Sequence, residues 1–256
     1  MLSKNTIKYI NSLKSGKFRQ LHKQFIAEGP KLIEEFLNSS FHVTQIFGIP
    51  TARVFELQGK FTKTKFEGVS AKELERISGL KTPNEAIALI ETPPPSLFPQ
   101  TGFSDLILML DEIKDPGNMG TIIRTADWFG IRHIVCSTDS VDIFNQKVVQ
   151  ATMGSLSRVN IFYTDLVSFL KKTPESIIVY GTLLNGENIY KKQLSKNGII
   201  VIGNESKGIS KKLLPFISDP LYIPNFPTTA KITAESLNAS VATAIVCAEF
   251  RRVFSC

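Results

Sequence analysis

Three short segments combine side chains and spacing suited to chemistry. The first, Asn118-Met119-Gly120-Thr121-Ile122-Ile123-Arg124, follows an acidic turn and carries an amide and a guanidinium. In the second, residues 199–209, four apolar residues run into Gly203-Asn204-Glu205-Ser206-Lys207-Gly208-Ile209. The third, Glu235-Ser236-Leu237-Asn238, opens an alanine-rich run. Amides, a carboxylate, a guanidinium and glycines, each set after an apolar stretch, suit a ligand site at the strand ends of an α/β domain. They imply an enzyme that holds a small cofactor and acts on a larger, anionic partner.

Two familiar nucleotide signatures are missing. The 203–209 loop resembles a phosphate loop only superficially, because Ile209 stands where a lysine is required. No GxGxxG occurs anywhere, so nicotinamide chemistry lacks its usual fingerprint. Arg124, between Ile123 and Thr125 near the start of a helix, is expected to act on a ligand rather than to decorate a surface. Asn238 is expected within the first turns of a helix over 234–250. Asparagine is a mediocre helix former there, so its side chain should point at something specific.

The elements that position these segments alternate in type. Residues 106–110 read as a strand buried on both faces, as do 199–202 and 177–180. Helices are expected over 120–129 and 146–153, with further strands at 134–136 and 221–224. This alternation implies a parallel sheet covered by helices on both faces. The run Pro93-Pro94-Pro95 with Pro99 reads as a stiff linker, which divides the chain into domains of 1–92 and 103–256 joined by 93–102. The first domain is also α/β. Helices are expected over 7–13, 31–37 (with Pro30 at its start) and 71–78, the last capped by Ser70 with Glu73 three residues on. Strands are expected at 24–28 and 43–49.

Composition narrows the partners. The 256 residues carry a net charge of +7. Residues 1–31 hold seven Lys and Arg against the single acid Glu28, a cluster that reads either as a solvated basic face or, favoured because it is local and nearly unopposed, as a phosphate-backbone contact surface, with Lys14, Lys17, Arg19 and Lys23 as the candidate contacts. Three unpaired cysteines and three scattered histidines give neither a disulfide framework nor metal-ligand spacing, so no metal is expected. No apolar run reaches the length of a membrane span and the first ten residues lack the apolar core of a signal peptide, so a cytoplasmic, membrane-free protein is expected.

The ordered set Asn118…Arg124, Gly203-Asn204-Glu205…Gly208 and Ile223-Pro224…Glu235-Ser236-Leu237-Asn238 resembles the three motifs of the SpoU (TrmH-type) RNA 2′-O-ribose methyltransferases of the SPOUT superfamily. Residues 10–35 resemble the substrate-binding domain of that family. The resemblance implies a small L30e-like RNA-binding domain followed by a parallel-sheet domain with a deep trefoil knot. It also implies S-adenosylmethionine as cofactor, a homodimer, and methyl transfer to a ribose hydroxyl of ribosomal or transfer RNA, ribosomal RNA favoured. By position, Arg124 would engage the target ribose, while Asn118, Glu205, Ser236 and Asn238 would complete the catalytic set. Thr182, Leu183, Gly203, Asn204, Gly208, Ile223 and Leu237 would line the cofactor. One departure is the ten-residue connection 225–234, which has no glycine. An RNA-binding protein of the same fold without catalysis is the alternative.

Overall fold

A computed structural model describes residues 1–226 and 236–252. In chain order its elements are α1 (Lys4–Ser12), α2 (Gly16–His22), β1 (Gln24–Glu28), α3 (Pro30–Leu37), β2 (Val43–Gly48), β3 (Lys65–Gly68), α4 (Ala71–Ile77) and β4 (Ala86–Glu91). There follow β5 (Leu106–Leu110), α5 (Pro116–Trp128), β6 (His133–Ser137), α6 (Gln146–Thr152), β7 (Asn160–Thr164), α7 (Leu166–Lys171), β8 (Val179–Asn188), β9 (Gly198–Ile202), β10 (Asp219–Tyr222) and α8 (Ala239–Arg252). Short 3-10 turns join several of them. The chain forms two compact units, one of residues 1–94 with 142–158 and one of 95–141 with 159–256.

The first unit is built on a four-stranded sheet in the order β1-β4-β2-β3, antiparallel except for the β2–β3 pair. Its core joins Ile10 and Leu13 to Ile26, Phe47, Leu74, Ile77 and Ile87. Local signals set the helix starts. Pro30 occupies the first turn of α3, where its missing N–H costs nothing. Ser70 and Glu73 form a reciprocal capping box on α4.

Residues 142–158 belong to this unit, although they follow β6 in the chain. Asp142 accepts from Arg19 at 2.7 Å, Gln146 donates to Glu28, and Arg158 pairs with Glu35. Glu28 is fully buried, and its carboxylate also accepts from the Ser78 hydroxyl and the Gly79 amide, each at 2.7 Å. A buried carboxylate needs such donors to offset its lost hydration. The ring of Phe144 lies 4.7 Å from that of Phe25. The helix over 146–153 thus exists as expected, in company that its position in the sequence does not announce.

The second unit is a six-stranded, wholly parallel sheet in the order β10-β8-β9-β5-β6-β7. The central strands β5 and β9 are buried along their whole length, as continuous apolar runs require in a sheet covered on both faces. Strand order reverses between β5 and β9, so connections leave these neighbours in opposite directions and open a crevice beyond their carboxyl ends. Two of the three motifs follow these two strands.

Three helices start elsewhere than expected. α1 begins at Lys4 rather than at 7, capped by the Ser3 hydroxyl, which accepts from the Thr6 amide at 3.0 Å. The helix of the first motif begins at Pro116 rather than at 120, because Asp115 caps it by accepting from the Asn118 amide at 2.8 Å and Pro116 opens its first turn. Gly117 and Gly120 are therefore helical residues, and neither adopts a positive φ. The C-terminal helix is α8, from Ala239, and Asn238 is its cap rather than a residue of its first turns.

Candidate active site

The turn after β5 is held by its own backbone and neighbours. Asp111 is buried, and its Oδ2 accepts from the Ser210 amide at 2.7 Å, which ties the end of the second motif to the end of β5. Glu112 has φ of 56°, a left-handed conformation uncommon for a residue with a side chain. Its carbonyl accepts from Asn204 Nδ2 at 2.9 Å, and its carboxylate lies 3.6 Å from Lys207 Nζ.

The second motif closes on itself. Asn204 and Gly208 exchange backbone hydrogen bonds of 3.1 and 2.8 Å, and Asn204 Oδ1 accepts from the amides of Ser206 and Lys207. Gly208 has φ of 67°. A Cβ on Gly203 would lie 2.3 Å from the Gly208 carbonyl carbon, so only glycine fits where the two arms of the loop meet.

The third motif meets the first two through side chains. Asn238 Oδ1 caps α8, accepting from Ser240 N at 3.0 Å and Val241 N at 3.3 Å. Its Nδ2 donates to Asn118 Oδ1 at 2.8 Å. Asn118 Nδ2 in turn donates to Glu205 Oε1 at 2.5 Å. The amide protons of Asn118 and Asn238 are thereby aimed in one direction along a chain that ends on a carboxylate. Glu235 lies outside the described residues, as does most of the connection 225–234.

Beside this chain is a cavity of about 660 Å³, within the usual range of small-molecule sites. Thr182, Leu183, Gly203, Asn204, Gly208, Ile223 and Leu237, the expected cofactor residues, all line it. Glu205 and Ser236 of the catalytic set line it too. Residues not singled out from the sequence complete the wall, including Leu184, Ile202, Lys207, Leu221 and Tyr222. Most sit at the ends of β8, β9 and β10, and strand ends were the available signal. The lining sets the apolar side chains of Leu183, Ile202, Leu221 and Ile223 beside the polar ones of Thr182, Asn204, Glu205 and Ser236, a mix that fits a nucleoside with a polar tail. No carboxylate–histidine–cysteine cluster able to hold a metal occurs among the described residues.

Arg124 sits farther along α5, exposed, with no hydrogen bond or ion pair among the described residues. It does not line the cavity. Lys14, Lys17 and Lys23 are exposed. Arg19 is a correction. Its side chain is only 5% exposed, and the guanidinium is committed to Asp142 and to the carbonyls of Leu13 and Lys14. It is a structural residue with no face to offer a phosphate.

A wholly parallel α/β sheet with a glycine-bracketed loop and an amide–carboxylate chain at its switch point defines a small-molecule-binding enzyme of the doubly wound class. Comparison with known proteins specifies which. Residues 105–248 match the model of the SpoU rRNA Methylase family, and residues 4–88 that of the MRM3-like substrate binding domain. The chain belongs to the SpoU rRNA methylase family. It is 30% identical over 243 residues to the Bacillus subtilis 23S rRNA (guanosine(2553)-2′-O)-methyltransferase RlmP, covering 94% of this chain and 93% of that one. Among solved structures, a TrmH-family protein from Porphyromonas gingivalis superposes with a TM-score of 0.87 at 37% identity over 99% of both chains. The AdoMet-bound rRNA methyltransferase of Sinorhizobium meliloti gives 0.86 at 28% identity, over 99% of this chain and 96% of the other.

Proposed function

We propose that this protein is an S-adenosylmethionine-dependent methyltransferase acting on a ribose 2′-hydroxyl of RNA, with ribosomal RNA as the substrate class. The observation that carries this reading is the Asn238–Asn118–Glu205 chain lying against the cavity of the second motif. Its relatives include enzymes named for 2′-O-methylation of 23S rRNA, and one similar structure holds AdoMet. The cofactor would supply an electrophilic methyl group. The apolar wall of Leu183, Ile202, Leu221 and Ile223 would hold its nucleoside, and the Gly203–Gly208 loop would bring backbone N–H and C=O groups close to it.

A ribose hydroxyl is a weak nucleophile, so the protein's task is to orient it and ease departure of its proton. Arg124 is the group proposed to do this. A guanidinium is a poor proton acceptor, so Arg124 acts by electrostatics and orientation on the hydroxyl and the neighbouring phosphate, not as a base. Asn118, Glu205, Ser236 and Asn238 fix the geometry on the cofactor side. Lys14, Lys17 and Lys23 are proposed as phosphate contacts of the first unit. A deep trefoil knot in the second domain, a homodimer and a cytoplasmic location complete the proposal by family analogy.

The test is transfer of label from S-adenosylmethionine to ribosomal and transfer RNA, followed by nucleoside analysis, for the wild type and Arg124→Ala. A 2′-O-methylated nucleoside made by the first and not the second supports the reading. Cofactor binding without transfer to either RNA, naked or in assembly intermediates, would favour the binding protein without catalysis.

A further inference from the structure

One end of the sheet in the first unit gathers basic and aromatic side chains from three stretches of the chain. Gln24 pairs with Glu91, Val43 with Ile90 and Gln45 with Lys65, so β1, β2 and β3 begin where β4 finishes. Lys23 immediately precedes β1, His42 precedes β2, and Lys60 and Lys63 lie in the loop that enters β3. All four are exposed. Glu91 faces His42 at 3.1 Å, and Glu67 takes up Lys65 at 3.3 Å. Lys23, Lys60 and Lys63 have no carboxylate partner among the described residues; Lys60 Nζ reaches only the Asn38 side-chain oxygen, at 3.4 Å.

Lys60, Lys63 and His42 line a cavity of about 300 Å³ with Phe41 and Phe61 in its wall, both half-buried. Phe41 is held edge-on against Phe36 and Phe25, at 5.2 and 5.9 Å, so its ring is preset. Lys60 Nζ stands 5.2 Å from the centroid of Phe61. Thr64 Oγ1 donates to the Val43 carbonyl at 2.8 Å and anchors the loop.

We propose that this cavity receives one unstacked base of single-stranded RNA, with Lys60 and Lys63 on the phosphates that flank it. The proposal rests on the RNA methyltransferase reading. Aromatic faces accept any base, and lysines at the mouth track the backbone. The cavity is sized for one base and not for a duplex. Residue Lys23, on the other side of the β4 end, extends the phosphate path toward Lys17.

Full-length protein with Phe61→Trp in a Trp128→Phe background carries its only indole at the cavity, since Trp128 is the sole tryptophan. Titration with a short oligouridylate is expected to quench this fluorescence saturably. The same oligomer should bind Lys60→Glu/Lys63→Glu about tenfold more weakly, with the slope of log affinity against log salt reduced by about 1.4, two lost single-strand phosphate contacts. Lys60→Gln/Lys63→Gln, a milder pair, should show the same slope change should the charge reversal unfold the protein. Absence of quenching, an unchanged slope, or equal quenching by polyglutamate would overturn the proposal. Quenching together with a failure of methyl transfer would sink the enzymatic reading and leave the base pocket standing. Transfer without quenching would do the reverse.

Discussion

Asn238 and Asn118 are joined by a single hydrogen bond of 2.8 Å, from the amide of one to the carbonyl oxygen of the other, across 120 residues of sequence. The same Asn238 side chain caps α8 with its oxygen. One residue thus starts a helix and sets the orientation of the Asn118 amide, which the proposed function places in the active site. The two duties are separable. Asn238→Asp keeps the cap, since Asp and Asn cap about equally well, but loses the donor and places a charge beside Asn118 Oδ1. Its stability is expected within about 0.5 kcal/mol of wild type, with turnover reduced on the order of tenfold or more. Asn238→Ala loses about 1 kcal/mol as well. Denaturant unfolding beside single-turnover transfer checks both, and wild-type turnover in Asn238→Asp would refute the orienting role.

Arg124 is exposed and unpartnered among the described residues, so replacing it leaves the fold nearly untouched. Arg124→Ala and Arg124→Lys are both expected to keep stability within about 0.5 kcal/mol and cofactor affinity close to wild type, while transfer collapses. Near-normal turnover in Arg124→Lys would show that charge alone suffices and that the fork geometry is irrelevant.

Gly203→Ala puts a methyl group 2.3 Å from backbone that cannot yield. The Gly203–Gly208 hairpin must open, and a displacement near 1 Å in a site of this kind costs roughly a hundredfold in transfer rate, with the cofactor contacts of the loop lost as well. Calorimetric titration with S-adenosylmethionine should register the loss as weakened binding. An alanine variant with normal affinity would mean the loop does not touch the cofactor.

Arg19→Ala discriminates a structural residue from an RNA contact. With Asp142 partly exposed, the expected loss is about 2 kcal/mol, below that of a fully buried pair. At temperatures where the variant is folded, the salt dependence of RNA binding should match wild type. A flatter slope would restore Arg19 to the phosphate-binding set.

Glu73 gives a pH signature. Hydrogen bonds from the Ser70 amide, the Leu2 amide and the Ser70 hydroxyl hold its carboxyl down at about 2, below its ordinary 4.5. A carboxyl lowered by folding stabilises the protein fully above its unfolded value and loses that contribution as pH falls through the folded one. Urea midpoints of wild type and Glu73→Gln should therefore differ above pH 4.5 and converge as pH approaches 2. Parallel curves across that window would remove Glu73 as the source.

Much of this was legible in the residues themselves, where one local cause dominates. The uninterrupted apolar run 106–110 is a central strand because nothing in it tolerates water. Ser70 with Glu73, and Gly29-Pro30, mark helix starts by hydrogen bonds and φ values that need no distant partner. The cavity residues of the second and third motifs were legible as motif members, whereas Leu184, Leu221 and Tyr222 came only with the strand ends that bring them there. What escaped depended on a second segment. Arg19 looks like any member of a basic cluster until Asp142 removes it from solvent. Asn238 reads as a poor helix residue until the helix is seen to start after it. The positive φ of Glu112 has no sequence signal, because it is imposed by the bonds around Asn204.

The placement of 142–158 bears on how such a protein can be taken apart. Residues 1–94 alone would lack Phe144 against Phe25, the Gln146 donor to buried Glu28, and the acceptor for Arg19. The recognition unit is therefore not a cassette that can be cut at the proline run and grafted onto another catalyst. Its coding sequence is split, with one part lodged inside that of its neighbour, and an exchange of specificity by recombination needs two simultaneous crossovers rather than one.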